Sequence, residues 1–281
     1  MKSIDLRLNT LRRAIVAFRA TPGRQGRLVQ LSDAEDVLVG GDMHGNVENF
    51  RQLLLRADLV HHPRRHLVVQ ELIHGMFVYP GGGDKSHQML DLVAALACQF
   101  PGRIHFLVGN HEQAQAAGRQ VMKYDIDLTE QFLKGVRTAY GDHADEMMAL
   151  YTELIGALPY AIRTVGNVFL SHSLPTERRL PEFSLEVLQR EPTLPADEAP
   201  GGALYALVWG RDTRSDHVAA FLDLVGADLL VTGHIPCEEG FARPSPRHVI
   251  LDTMGSPAAY CLLPGERSIT PDELTSCVHL L

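Results

Sequence analysis

Gly41-Asp42-Met43-His44-Gly45 follows directly on the apolar run Val37-Leu38-Val39. A buried strand that ends in Asp-x-His holds a carboxylate and an imidazole out at its tip, where a metal ion can sit between them. The flanking glycines let the backbone turn sharply and let a ligand come close. Asp and His two apart also occur in ordinary surface turns, so the reading depends on what the rest of the chain adds.

Upstream, Leu6, Leu8, Leu11, Ile15 and Phe18 recur near helical spacing with arginines between them, which predicts an amphipathic helix over 3–19. Thr21-Pro22-Gly23 ends it. Downstream, Phe50, Leu53, Leu54 and Ala57 predict a helix over 46–58, so strand, ligand turn and helix form one α/β unit. The plan returns twice. Residues 66–70 read as a strand and 71–80 as an irregular segment, before Gly81-Gly82-Gly83-Asp84 and a helix over 85–99. Residues 103–108 read as a strand ending in Gly109-Asn110-His111-Glu112. Open α/β sheets place their chemistry at such strand ends.

Residues 127–157 predict a helical pair broken near Gly141-Asp142, with Asp125 and Asp127 as capping residues rather than ligands. Residues 161–165 and 168–171 predict a hairpin around Gly166-Asn167 that runs into His172. The segment 175–200, rich in Pro and Glu, reads as a mobile surface loop with one helical turn, suited to act as a lid. Leu204 to Trp209 leads to Gly210-Arg211, and a helix over 216–225 precedes a strand over 228–231 that ends in Thr232-Gly233-His234. Late antiparallel strands are expected at 249–252, 258–263 and 277–281. No repeat or long linker divides the chain, so the expectation is one domain over 1–281.

With 45% hydrophobic and 21% charged residues the chain has the composition of a soluble globular protein. A net charge of -8 argues against a nucleic-acid surface, which carries a basic excess. No apolar stretch reaches the roughly 18 residues of a membrane span, and Asp5, Arg7, Arg12 and Arg13 interrupt any signal-peptide core, so a cytoplasmic location is expected. Cys98, Cys237, Cys261 and Cys277 are scattered and read as free thiols.

Five polar sets follow β runs: Asp42 with His44, Asp84, Asn110 with His111, His172, and His234. Carboxylates, an amide oxygen and imidazoles without thiolate suit divalent ions such as Mn, Fe, Zn or Ni. The order GDMHG, GGD, GNHE, SHS, TGHI resembles the metallophosphoesterase superfamily, and within it the phosphoprotein (serine/threonine) phosphatase branch, over residues 36–255. The resemblance implies an α/β fold of two mixed sheets packed as a sandwich with flanking helices, the calcineurin-like fold. It implies two divalent metal ions, Mn foremost, with Asp42 and His44 at the first, Asp84 as the bridge, and Asn110, His172 and His234 at the second. His111 then stands at the leaving-group oxygen as the catalytic acid, and Arg211 binds the substrate phosphate. The implied partner is a phosphorylated protein or small molecule, with phosphoserine or phosphothreonine leading.

The second motif departs from the family pattern. Where family members continue GDxVDRG, this chain reads Gly83-Asp84-Lys85-Ser86-His87-Gln88. His87 stands for the aspartate that supports the catalytic histidine and Gln88 for a phosphate-binding arginine, so His87 is a further candidate. Glu71 and His74 read as loop residues, Glu112 as a brace of the ligand turn, and His105 as a hydrogen-bonded sheet residue. Two other functions use the same motifs: a phosphodiesterase or dinucleoside polyphosphate hydrolase, and a metal-binding regulatory protein with little activity.

Overall fold

The computed structural model describes residues 2–281. Its strands are β1 (Arg24–Gln25), β2 (Leu28–Gln30), β3 (Asp36–Asp42), β4 (Arg65–Gln70), β5 (Ile104–Leu107), β6 (Met122–Lys123), β7 (Ile126–Asp127), β8 (Ala161–Arg163), β9 (Val168–Ser171), β10 (Leu229–Thr232), β11 (Phe241–Ser245), β12 (His248–Leu251), β13 (Ala259–Pro264) and β14 (Val278–Leu280). The main helices are α1 (Lys2–Arg19), α2 (Val47–Ala57), α3 (His87–Gln99), α4 (Asn110–Ala116), α5 (Leu128–Tyr140), α6 (Ala144–Gly156), α7 (Leu185–Gln189), α8 (Pro195–Glu198), α9 (Ala203–Trp209), α10 (Ser215–Val225) and α11 (Pro271–Ser276).

Two mixed sheets carry the fold, one ordered β1-β2-β8-β9-β10-β12-β11 and the other β14-β13-β3-β4-β5. Alternation along the strands explains why they stack. Val37, Val39, Val68 and Leu107 of the smaller sheet meet Val168, Leu170, Val231, Val249 and Leu251 of the larger one in a shared core. The intervening residues Leu38, Leu67, Val69, Phe106, Phe169 and Leu230 face outward into cores covered by helices. Burial on both faces is what turns these strands into near-continuous apolar runs.

β3, β4 and β5 run parallel, as do β9, β10 and β12, so the carboxyl ends of each set lie on one edge of its sheet. An isolated parallel bridge between Asp42 and Asp252 joins the two sheets at that edge. α1 packs on α3 and α6 through Leu8, Leu11, Ile15 and Phe18, whereas Leu6 is exposed because the buried stripe passes through Ala14 instead. Asn46 caps α2, its side chain accepting from the Asn49 N–H, and Asp127 caps α5 through the N–H groups of Thr129 and Glu130. The hairpin β8–β9 forms as the Gly166-Asn167 turn predicts.

Several expectations change. β12 is antiparallel only to β11 and runs parallel to β10, because the chain passes from β10 to the sheet edge as β11 and a hairpin brings β12 back between them. β1, β2 and β11 are too short or too polar to stand out in the sequence. Between 175 and 200 a 3-10 turn at Leu180–Glu182 and two helices, α7 and α8, form instead of one turn, and Phe183, Val187 and Leu188 are buried. No helix among the described residues is long and apolar enough to cross a membrane.

Candidate metal centre

β3 delivers Asp42 at its last residue and His44 two residues later. β9 ends one residue before His172, and β10 two before His234. Asn110 opens α4 directly after β5, with Gly109 preceding it in extended conformation. Five of the six expected ligands therefore gather at the common edge of the two sheets.

The sixth does not. The Asp84 carboxylate is spent on its own loop, accepting from the Ser86 N–H at 2.7 Å, the Ser86 hydroxyl at 2.5 Å and the Gly75 N–H at 3.1 Å. The glycine run before it serves packing: Gly83 sits at φ +96°, and a Cβ there would lie 2.7 Å from the Gly135 nitrogen of α5. The position expected of Asp84 is taken by Glu71, the residue directly after β4. Among the described residues two groups can hold a metal ion, His44 with Glu71 and His111, and Glu71 with His172 and His234, and Glu71 belongs to both. The same strand-end rule that selects Asp42 and Asn110 selects Glu71.

Local geometry aims lone pairs inward. His172 Nδ1 lies 2.9 Å from Gln70 Oε1, an acceptor, so Nδ1 carries the hydrogen and Nε2 faces the cluster. That Nε2 lies 2.5 Å from Glu71 Oε2, 3.0 Å from Asn110 Oδ1 and 3.2 Å from His234 Nδ1. His44 Nδ1 is 3.0 Å from the Ile73 carbonyl, which leaves its Nε2 free in the same way. The Asp42 Oδ2 accepts from the His234 N–H at 2.8 Å, while its Oδ1 is buried without a partner, 3.7 Å from His172 Nδ1. Adjacent ligands held about 2.1 Å from one divalent ion stand about 3 Å apart, the spacing seen here.

Electrostatics supports the same conclusion. Burial pushes the carboxyls of Asp42 and Glu71 up, Glu71 to about 7, and pulls the imidazoles of His172 and His234 down, His172 to about 3. The result is a buried cluster in which carboxylate oxygens, an amide oxygen and imidazole lone pairs face one another. Asn110 reports the conflict: with its oxygen inward it faces four other acceptor atoms, and turned over, its NH2 would donate to His172, His234 and both Glu71 oxygens. A divalent ion makes the oxygen-inward orientation favourable, so the donor set fits a metal.

The backbone is strained where the ligands turn. Of the non-glycine residues at positive φ, His44, Glu71, His74 and His234 all lie here, and such strain persists only where the surroundings enforce it. Glu112 enforces part of it, accepting from the N–H groups of Leu72, Ile73 and Gly109, the bracing role expected of it. Gly233 is required by closeness, since a Cβ would lie 2.2 Å from Asp42 Oδ1. Arg211 reaches the cluster, its Nε 3.1 Å from His234 Nε2.

His111 lies at the rim, its Nε2 3.5 Å from Glu71 Oε1. Burial and the neighbouring His44, His74, His172 and His234 hold its imidazole well below the usual range. The residue behind it is His74, ring nitrogen to ring nitrogen at 2.8 Å, not His87. His87 lies in neither metal group. It is held between the hydroxyls of Tyr79 and Tyr140 and lines a separate cavity of about 1020 Å³ beside α1 and α3. His105, as expected, is buried in its sheet against His66 Nδ1 at 2.9 Å.

Residues 36–238 match the family model described as calcineurin-like phosphoesterase. The chain belongs to that family. Calcineurin-like phosphoesterases are metal-dependent phosphoric ester hydrolases, and the two-sheet architecture is theirs. A protein of Encephalitozoon cuniculi (strain GB-M1) named as a probable serine/threonine-protein phosphatase is 25% identical over 230 residues, covering 76% of this chain. The match spans 45% of that protein, so this chain accounts for about half of its relative's length. Among solved structures, a serine/threonine phosphatase of Saccharomyces cerevisiae with similarity to human phosphatase PP5 superposes with a TM-score of 0.72 at 13% identity, over 99% of this chain and 88% of that one. A cold-active protein-tyrosine phosphatase of a psychrophilic Shewanella gives 0.61 at 15% identity, over 91% and 82%. Both likenesses are of fold.

Proposed function

We propose that the chain hydrolyses phosphomonoesters at a centre of two divalent ions, Mn foremost, held by Asp42, His44 and Glu71 on one side and by Glu71, Asn110, His172 and His234 on the other. The carrying observation is that one carboxylate, Glu71, belongs to both groups of potential ligands. A carboxylate has lone pairs enough to serve two ions at once. When bound, such ions polarise phosphoryl oxygens and acidify water.

The chain's own residues do the rest. Gln70 fixes the His172 ring, and Glu112 holds the turn that presents Glu71. Arg211, whose Nε lies 3.1 Å from His234 Nε2, has its terminal nitrogens for the equatorial phosphoryl oxygens. His111, beside Glu71, stands at the leaving oxygen. The substrate by family likeness is a phosphoprotein of the serine/threonine class.

Two measurements test this. Metal analysis of protein loaded with Mn should return two ions per chain. The loaded protein should turn over p-nitrophenyl phosphate faster than its bis-ester or a dinucleoside polyphosphate. Tight binding of two ions without turnover of any phosphoester would remove the hydrolase reading.

A further inference from the structure

The four cysteines are free thiols, and two of them meet at the edge of the smaller sheet. β13 and β14 pair antiparallel with Cys261 opposite Val278, and the Leu262 N–H donates to the Cys277 carbonyl at 2.8 Å. Cys277 therefore stands one step along the ladder from the residue that faces Cys261. Diagonal neighbours of this kind lie about 6 Å apart between Cα atoms, inside the span of about 4.4–6.8 Å that a disulfide bridges.

Strand alternation alone would turn the Cys277 side chain to the face of Leu262, which packs on the outer core under the helices. The end of α11 changes this. Cys277 closes that helix in helical conformation, at φ -79° and ψ -10°, with its N–H donating to the carbonyls of Glu273 and Leu274. The turn brings its side chain round to the sandwich core, where Cys261 is buried. The two thiols are unequal. Cys261 is fully buried and Cys277 half-buried. The Cys277 thiol and burial push Cys261 well up, while the Cys261 thiol draws Cys277 down. An oxidant attacks the thiolate, so Cys277 reacts first and Cys261 is in place to resolve it. Cys98 and Cys237 are built differently: their thiols donate to the backbone carbonyls of Thr10 and Ile235, and burial pushes both up.

We infer that Cys261 and Cys277 form a modification site, at which a peroxide oxidant closes a disulfide that fastens α11 and β14 to β13. The Cys277 thiolate attacks one oxygen of hydrogen peroxide, the O–O bond breaks, and the hydroxide that leaves takes up the thiol's proton as water. The Cys261 thiol then attacks the sulfur of the resulting sulfenic acid. The S–O bond breaks, and its oxygen leaves as a second water with the Cys261 proton. Two electrons pass from the sulfur pair to the peroxide. The bond encloses residues 262–276 and lies on the strand beside β3, with Cys261 opposite Val39. It involves no candidate metal ligand and holds whether or not the chain is a hydrolase.

The test oxidises the full chain with hydrogen peroxide and then alkylates it. Free thiols should fall from four to two per chain, with Cys98 and Cys237 carrying the alkyl label. Trypsin should release peptide 248–267 joined to peptide 268–281, lighter than their sum by two hydrogen atoms, and dithiothreitol should part them. Unfolding in urea before oxidation should slow the reaction, because the folded register is what brings the thiols together. In Cys261→Ser the Cys277 sulfenic acid should persist and be trapped by dimedone, and in Cys277→Ser Cys261 should stay reduced, with circular dichroism checking that each variant is folded. Recovery of the two peptides unjoined from oxidised native protein, with Cys277 alkylated or carried on to sulfinic acid, overturns the inference. So does a bond from either thiol to Cys98 or Cys237, or a disulfide that forms as fast in the unfolded chain.

Discussion

Glu71→Gln and Asp84→Asn, made side by side, separate two accounts of the second motif. Glu71 Oε2 lies 2.5 Å from His172 Nε2 and Oε1 lies 3.5 Å from His111 Nε2, so the amide removes the one negative charge common to both groups of potential ligands. Residues that merely orient a metal ligand change affinity about 10–100-fold when lost. A shared ligand should exceed that bound, giving a loss of at least about 100-fold, or about 2.8 kcal/mol. Asp84 instead accepts three hydrogen bonds within its own loop. Asparagine turns an NH2 toward donors there and forfeits one or two charge-assisted bonds, about 1.5–3 kcal/mol each. Asp84→Asn should therefore lower stability in urea while metal affinity stays within about tenfold of wild type. Calorimetric titration with Mn, beside urea unfolding in chelator, measures both quantities. If Asp84→Asn loses the metal and Glu71→Gln keeps it, the geometric argument for Glu71 is wrong.

Other outcomes follow from single contacts. Arg211→Ala should lower kcat on p-nitrophenyl phosphate by about 10²–10³-fold, with Arg211→Lys recovering only part because the guanidinium fork is lost; wild-type kcat in the alanine variant would remove Arg211 from the mechanism. Gly233→Ala drives a Cβ to within 2.2 Å of Asp42 Oδ1 and should cost about 1–3 kcal/mol of stability together with metal binding, readable by melting with and without Mn. Burial holds the His105 imidazole at about 3, against about 6.5 unfolded, so the unfolded chain takes up this proton first as pH falls. Its stability contribution is complete above about 6.5 and is lost below by up to about 1.4 kcal/mol per pH unit. His105→Gln should flatten urea stability between pH 6 and 4 by that slope, and an unaltered acid limb would contradict the assignment. Phe169→Ala, removing a fully buried ring packed on Phe221, should cost about 3–5 kcal/mol in urea unfolding.

What could be read from the sequence follows from how local each signal is. α2 and α5 announce themselves through a capping side chain and a periodic apolar face, and β3, β5 and β9 through apolar runs that end in polar groups. Asp42, His44, Asn110, His172 and His234 were legible because each lies within three residues of a strand end. Glu71 satisfied the same rule, but Gly81-Gly82-Gly83-Asp84 matched the family pattern more closely in composition, and only the packing of Gly83 on α5 reveals what those glycines do. His74 was hidden for a different reason. It lies 37 positions from His111, and their meeting depends on how α4 packs beside the turn after β4. Short or polar strands such as β1 and β11 gain their definition from the neighbour they pair with, which no local pattern encodes.

The candidate ligands come from both halves of the sandwich. Asp42, His44, Glu71 and Asn110 follow strands of the smaller sheet, while His172 and His234 follow strands of the larger one. An ion held among them would tie together two plates that meet through side-chain packing and the bridge from Asp42 to Asp252. Val39, Val68, Leu170 and Val231 pack in the seam between the plates, so their fit sets how the two halves of the ligand set stand to one another. The apolar interior is in this sense the support on which both halves of the ligand set rest.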